Sequence, residues 1–331
     1  TPNHLVLGEK IASLEKAEAG MVLASGMAAI STTLMTVLSP GDHLLALAGL
    51  YGGTHELLSN YLSRFGIDHA WVNGRDVSEW QKKLRPETKA FYVESITNPL
   101  MQVPDLPRVV DFATGNKLLS LIDNTFATPM VCQPIELGAD LVLESVSKFM
   151  NGHGDIMLGM LAGNHDDWER VEAVNSTWGL ASSPLECWLA CRGVATLALR
   201  ISRACESALT VAEYLTEHDA VERVVYPGLK SHDDFQLAQR QFIQGSGHVV
   251  TFQVTGGRTA ADQVMASPAL AFCPSLGDVT TTTSHPLSTS HRGLSLEQQK
   301  QLGVNGATIR LSVGIEESDS ILERLQMALE R

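Results

Sequence analysis

Short apolar runs closed by polar or small residues recur through the first two thirds of the chain. Ala90-Phe91-Tyr92-Val93-Glu94 is closed by Thr97-Asn98-Pro99, and Leu118-Leu119-Ser120-Leu121-Ile122-Asp123 by Asn124-Thr125. Leu141-Val142-Leu143-Glu144-Ser145 is a third run, and residues 158–163 form a fourth. Helical patterns lie between them. Near-continuous apolar strands separated by helices predict a mainly parallel sheet covered on both faces. Ligands of such sheets bind beyond the carboxyl ends of the strands. Asn98, Asp123, Ser145 and Lys148 all fall there.

From about residue 184 to 218 the pattern predicts one long helix, with Leu185, Leu189, Val194, Leu197, Ile201, Leu209 and Tyr214 as its apolar stripe. Strands follow over 248–253 and 307–313, and a last helix runs from about Ser318 to the end. The expected architecture is α/β: a mainly parallel central sheet with helices on both faces, then a smaller C-terminal α+β domain. The division is expected inside the long helix, giving residues 1–200 and 201–331.

Composition narrows the function classes. A net charge of −13 on 331 residues repels phosphate backbones and anionic lipid, so neither nucleic acid nor membrane is expected as a partner. Five cysteines (Cys132, Cys187, Cys191, Cys205, Cys273), odd in number and without dense spacing, read as reduced thiols in a cytoplasmic protein. Cys187 and Cys191 stand four apart with no CxxC elsewhere, which favours packing over a metal site. Asn175-Ser176-Thr177 matches a glycosylation acceptor but has no secretory context. No signal peptide or bilayer-length apolar run is present, and the opening at Thr1 without Met reads as a processed or truncated chain, or its ordered part.

Four stretches carry chemistry. In Leu23-Ala24-Ser25-Gly26-Met27 a helix begins at Ser25-Gly26; its free amides suit a phosphate, and a plain glycine start is the alternative. Tyr51 precedes Gly52-Gly53 at a strand-to-helix turn, where its ring could stack on a planar ligand or simply fill the turn. Asp123 ends an apolar strand and needs either a cationic partner or a helix to cap. Lys148, flanked by Ser145 and Ser147, follows another strand. It is the only Lys or Arg between Lys117 and Arg170, and is either a buried ion-pair member or an amine nucleophile. Arg310 interrupts a C-terminal apolar strand, so its charge also needs a partner. Together these are the parts pyridoxal 5'-phosphate requires: an anion site, a ring sandwich, a carboxylate for the pyridine nitrogen and a Schiff-base lysine.

The set resembles the Cys/Met-metabolism family of pyridoxal-phosphate enzymes, which includes cystathionine γ-synthase, cystathionine and methionine lyases and homoserine-ester sulfhydrylases. The resemblance runs through ASLEKAEAGMVLASGMAAI, LYGGT, ESITNPLMQVPDL, IDNTFATP, the highly specific ESVSKFMNGHGD, SLGDVTTTTSHPLSTSH and IRLSVGIE. It implies the aspartate-aminotransferase-like fold (fold type I). It also implies a Schiff base on Lys148, Gly26 and Met27 amides with the Ser145 and Ser147 hydroxyls on the phosphate, and Tyr51 stacked on the ring and shuttling protons. Asp123 is implied on the pyridinium, and Asn98, Ser275 and Arg310 at the substrate carboxylate. An amino-acid substrate and a homotetramer built of active dimers are implied as well.

The expected activity is β- or γ-elimination by a carbon–sulfur lyase, with γ-replacement as the alternative and an aminotransferase or a non-catalytic relative further behind. Gly8, Gly53 and Thr280 depart from residues common in the family, and the family's Tyr-x-Arg segment, which precedes an Asn-Pro-Thr, is not in the sequence, which opens Thr1-Pro2-Asn3. A Rossmann dehydrogenase fits poorly, since Gly245-Ser246-Gly247 lacks a third glycine at the required offset.

Overall fold

The structure, a computed structural model, describes residues 1–164, 168–293 and 295–330. Two sheets organise it. The larger contains β1 (Ala19–Leu23), β2 (His43–Leu47), β3 (Asp68–Val72), β4 (Thr88–Glu94), β5 (Leu119–Asp123), β6 (Leu141–Glu144) and β7 (Gly159–Gly163), in the order β1-β7-β6-β5-β4-β2-β3. Strands β3, β2, β4, β5 and β6 run parallel; β7 runs antiparallel to both of its neighbours. The run at 158–163 is a strand, as expected, but a reversed one. It returns from the Lys148 turn directly, with no crossover helix to restore direction.

Register matters for function. Glu94 lies opposite Asp123, and Asp123 opposite Leu143, so three consecutive strands end level with one another. Their carboxyl ends form one rim of a cleft. The other rim comes from the second sheet: β8 (Val221–Val225), β9 (Val249–Val254), β10 (Ala271–Phe272), β11 (Thr282–Ser284) and β12 (Thr308–Ser312), ordered β10-β11-β12-β9-β8 and antiparallel except for β10–β11.

The long helix is broken. Pro184–Val194, with Ser183 as N-cap, stops before a second helix, Leu197–Thr216. At the break Ala195 and Thr196 donate to the carbonyls three residues back, Arg192 and Gly193, each at 3.2 Å. Leu185, in the first turn of the first helix, and Leu209, beyond the break, are exposed members of the expected stripe. Leu197 and Ile201 of that stripe do enter the core of the first sheet, joined by Cys205, and Ala208, Val211, Ala212 and Leu215 enter that of the second. The second helix therefore crosses from one core to the other. The final helix is Ser318–Leu329.

Beneath the strand ends lies a pair of acids that no cation of the described residues pairs with. Glu15, on the helix Pro2–Glu15, is 0% exposed, and Glu144 is 1% exposed. The Asn124 amide donates to Glu15 Oε1 at 3.1 Å, Glu144 Oε1 at 3.5 Å and the Cys132 carbonyl at 2.8 Å. The second oxygen of each carboxyl has no partner among the described residues. Burial raises both acids above the usual carboxylate range, and the Glu15 charge pushes Glu144 further. The folded chain consequently holds protons that the unfolded chain releases from about pH 4.3. This stabilisation is complete below that pH and is lost as pH rises through the raised values. Glu144→Gln removes one of the titrations while keeping a donor for Glu15. In thermal unfolding between about pH 5 and about pH 8, the midpoint difference between variant and parent should grow in the variant's favour. A difference that stays flat contradicts the raised affinity of these buried acids for their protons.

Candidate active site

The helix Gly26–Val37 aims its start at the end of β6. Ser25 caps it, its hydroxyl accepting from the Ala28 amide at 3.0 Å and its carbonyl from the Ala29 amide at 3.0 Å. The amides of Gly26 and Met27 precede that first helical bond and have no backbone acceptor among the described residues, at the positive end of the helix dipole. A Cβ on Gly26 would lie 2.7 Å from the Ser145 Cβ, so glycine is what lets this turn approach the strand end. The Ser145 hydroxyl has no partner among the described residues, and its amide donates to Thr125 Oγ1 at 2.9 Å. Ser147 differs: its hydroxyl donates to the Leu158 carbonyl at 3.0 Å and accepts the Leu158 amide at 2.9 Å, so its one hydrogen is already engaged.

Tyr51 precedes the short helix Gly52–Glu56 and is 41% exposed. A Cβ on Gly53 would meet its ring at 2.6 Å and Met27 Sδ at 3.0 Å, so the bare glycine lets the ring lie where it does. The Tyr51 amide donates to Glu94 Oε1 at 2.6 Å, and the Asn98 amide to Glu94 Oε2 at 3.3 Å. Asp123 accepts the Tyr92 hydroxyl at 3.1 Å and the Thr125 amide at 3.0 Å. Burial raises both acids, and the Asp123 charge drives Glu94 well above the usual range. No described cation pairs with either.

Across the cleft the sign reverses. Arg310, in the middle of β12, is 2% exposed, and burial lowers it to about 10. Its Nη1 donates to Asn98 Oδ1 at 3.1 Å; its Nε has no partner among the described residues. The Asn98 carbonyl is hydrogen-bonded to the ring of buried His291 at 3.0 Å, which fixes the asparagine from behind. Lys148 Nζ donates to Ser275 Oγ at 2.5 Å. Its value is lowered, first by burial and then by the Arg310 charge, which enlarges the neutral, nucleophilic fraction of the amine.

All ten residues singled out in the sequence line one cleft of about 1250 Å³. Glu94, His291, Cys273 and Asp278 line it too and were not anticipated. Only Glu94 had a legible signal, as the acid closing the apolar run of β4.

The profile of the Cys/Met metabolism PLP-dependent enzymes matches residues 1–330, and the chain belongs to that family. Among its relatives, the L-methionine gamma-lyase of Fusobacterium nucleatum is 35% identical over 100% of this chain and 84% of its own. The O-succinylhomoserine sulfhydrylase of Pseudomonas aeruginosa is 39% identical over 97% and 79%. The crystal structure of cystathionine gamma-lyase from Lactobacillus plantarum complexed with L-serine superposes with a TM-score of 0.95 at 34% identity, covering 100% of this chain and 86% of that one. The family's cofactor, pyridoxal phosphate, fits what is present: free amides and a free hydroxyl in a cradle that a Cβ would fill, a buried acid without a cation, and a buried guanidinium with an orphaned Nε.

An arginine buried without an anion costs stability that a similarly shaped apolar side chain does not. Arg310→Met should therefore leave the cofactor-free protein unchanged in stability or stabilise it by up to about 4 kcal/mol in urea unfolding, while abolishing turnover. A destabilised variant would mean that Arg310 is a structural member of the core.

Proposed function

We propose that this enzyme is a carbon–sulfur lyase that eliminates the β- or γ-substituent of a sulfur amino acid. The observation that carries this reading is the presence, in one cleft, of a depressed amine, Lys148, with an unpaired buried carboxylate and an unpaired buried guanidinium. When bound, pyridoxal phosphate supplies an aldehyde for the substrate amine and a ring that stabilises negative charge at the substrate α-carbon. Gly26, Met27 and Ser145 would hold its phosphate, joined by Ser147 if that hydroxyl turned from Leu158; Asp123 would answer its ring nitrogen, and Tyr51 would stack on the ring.

The chain's own residues do the rest. Arg310, braced by Asn98, clamps the substrate carboxylate with a charge-assisted hydrogen bond, and Ser275 completes that subsite. Lys148 Nζ is the base that takes the α-proton. Tyr51 moves the second proton when the leaving group sits at Cγ. The sulfur leaves with the electron pair of its C–S bond, and water converts the unsaturated amine to a 2-oxo acid and ammonia.

γ-Replacement is the second reading, favoured by the 39% identity to a sulfhydrylase. We further propose residues 1–200 and 201–331 as the two domains, a cytoplasmic setting for the reduced thiols, and a homotetramer as the working assembly. Incubation with cystathionine, homocysteine or methionine should release 2-oxo acid and ammonia in equal amounts. A sulfur amino acid formed only from an acylated homoserine plus thiol would establish replacement instead. A 2-oxo acid formed without ammonia would indicate an aminotransferase.

A further inference from the structure

Arg200, which the catalytic reading does not use, is buried against the turn that carries Lys148. The turn has few bonds of its own: Lys148 N to Ser145 O at 3.1 Å, Asn151 N to Val146 O at 3.1 Å and Gly152 N to Lys148 O at 2.8 Å. The next two carbonyls, Phe149 and Met150, turn instead to Arg200, accepting from Nη1 and Nη2 at 2.8 Å each. Nη2 also reaches the Gly193 carbonyl at 2.9 Å, and Nε reaches Thr196 Oγ1 at 3.1 Å. Arg200 is 7% exposed, and no described carboxylate pairs with it, so three carbonyl dipoles and one hydroxyl answer its charge. Hydrogen bonds from a charged donor are the strong ones, and here all of them go to the lysine turn and the helix break.

The fit is tight on every side. A Cβ on Gly152, at φ +80°, would stand 2.1 Å from Arg200 Nη1. A Cβ on Gly193 would lie 2.5 Å from Asn151 Oδ1. On the opposite flank Gly277, at φ +94°, comes so close that a Cβ would be 2.7 Å from the Lys148 Cα. The lysine backbone is held between Gly277 and, through Phe149, the guanidinium on the helix that joins the two cores.

We propose that Arg200 is a positioning residue for Lys148, clamping the two carbonyls that follow it so that the amine is kept inside the cleft against Ser275. The inference rests on reading Lys148 as the nucleophilic amine, but it concerns where that amine is held and not what it reacts with.

The test is competitive acetylation of the cofactor-free protein with acetic anhydride across pH, with Lys148 followed by peptide mass mapping. Arg200→Lys keeps the charge and loses the fork. It should raise the Lys148 titration midpoint by about one unit, a tenfold fall in neutral amine at fixed pH. Gly152→Ala, which pushes the guanidinium away from the other side, should shift it in the same direction. Should both variants fail to fold, Thr196→Val removes the Nε contact, together with the hydroxyl's own bond to the Gly193 carbonyl, but leaves both lysine-turn carbonyls on the guanidinium, and should give a smaller upward shift. Lowered thermal stability with an unmoved Lys148 midpoint in the folded variants would overturn the proposal and leave Arg200 as structural packing. A midpoint that responds in a protein with no turnover would sink the proposed function and leave the positioning role standing.

Discussion

Arg310 lies in the centre of a buried strand, and no carboxylate of the described residues answers it. Asp123 and Glu94 lie at the ends of two adjacent strands of the other sheet, and no cation of the described residues answers them. Pairing these groups would be the inexpensive solution, because an isolated buried charge costs several kcal/mol. The fold does the opposite and mounts the two signs on different sheets. Such an arrangement is stable in function only when something carrying both signs enters between them. A bound amino acid together with the family's cofactor carries both signs, and under the proposed function its carboxylate would meet Arg310 and the pyridine nitrogen would meet Asp123.

The scaffold makes this separation possible through register. β4, β5 and β6 end level, which places Glu94, Asp123 and the Ser145–Lys148 turn on one rim. Glycine supplies the close approaches there: Gly26 against Ser145, Gly53 under Tyr51, and Gly277 against Lys148. The two acids beneath the rim, Glu15 and Glu144, add a further demand, since their burial raises both and favours their protonated forms. Electrostatic preorganisation of this kind is where such sites obtain most of their effect.

Much of the site was legible because strand-end chemistry leaves a local trace. Asp123 and Lys148 each follow an apolar run, and Ser25-Gly26 opens an apolar helix. What was not legible depends on contacts made across long sequence separations. The break at Ala195-Thr196 has no proline at the break itself; its cause is the Gly193 carbonyl, drawn off by Arg200, Thr196 N and Thr196 Oγ1. Arg200 itself reads as an ordinary helical arginine. Nothing in the Ser147 neighbourhood announces that Leu158 occupies its hydroxyl. The reversal of β7 was hidden for a related reason: an apolar run has no direction until the length of its connection and its partners decide one.

The central claim is that Lys148 is the amine that holds the cofactor in this cleft. The most direct measurement is the visible absorption spectrum of the purified protein with added pyridoxal phosphate, set beside that of Lys148→Ala. The account predicts a yellow Schiff-base band in the parent that resists gel filtration, and its absence in a folded Lys148→Ala protein. An equal band in both, or none in a folded parent, would contradict it.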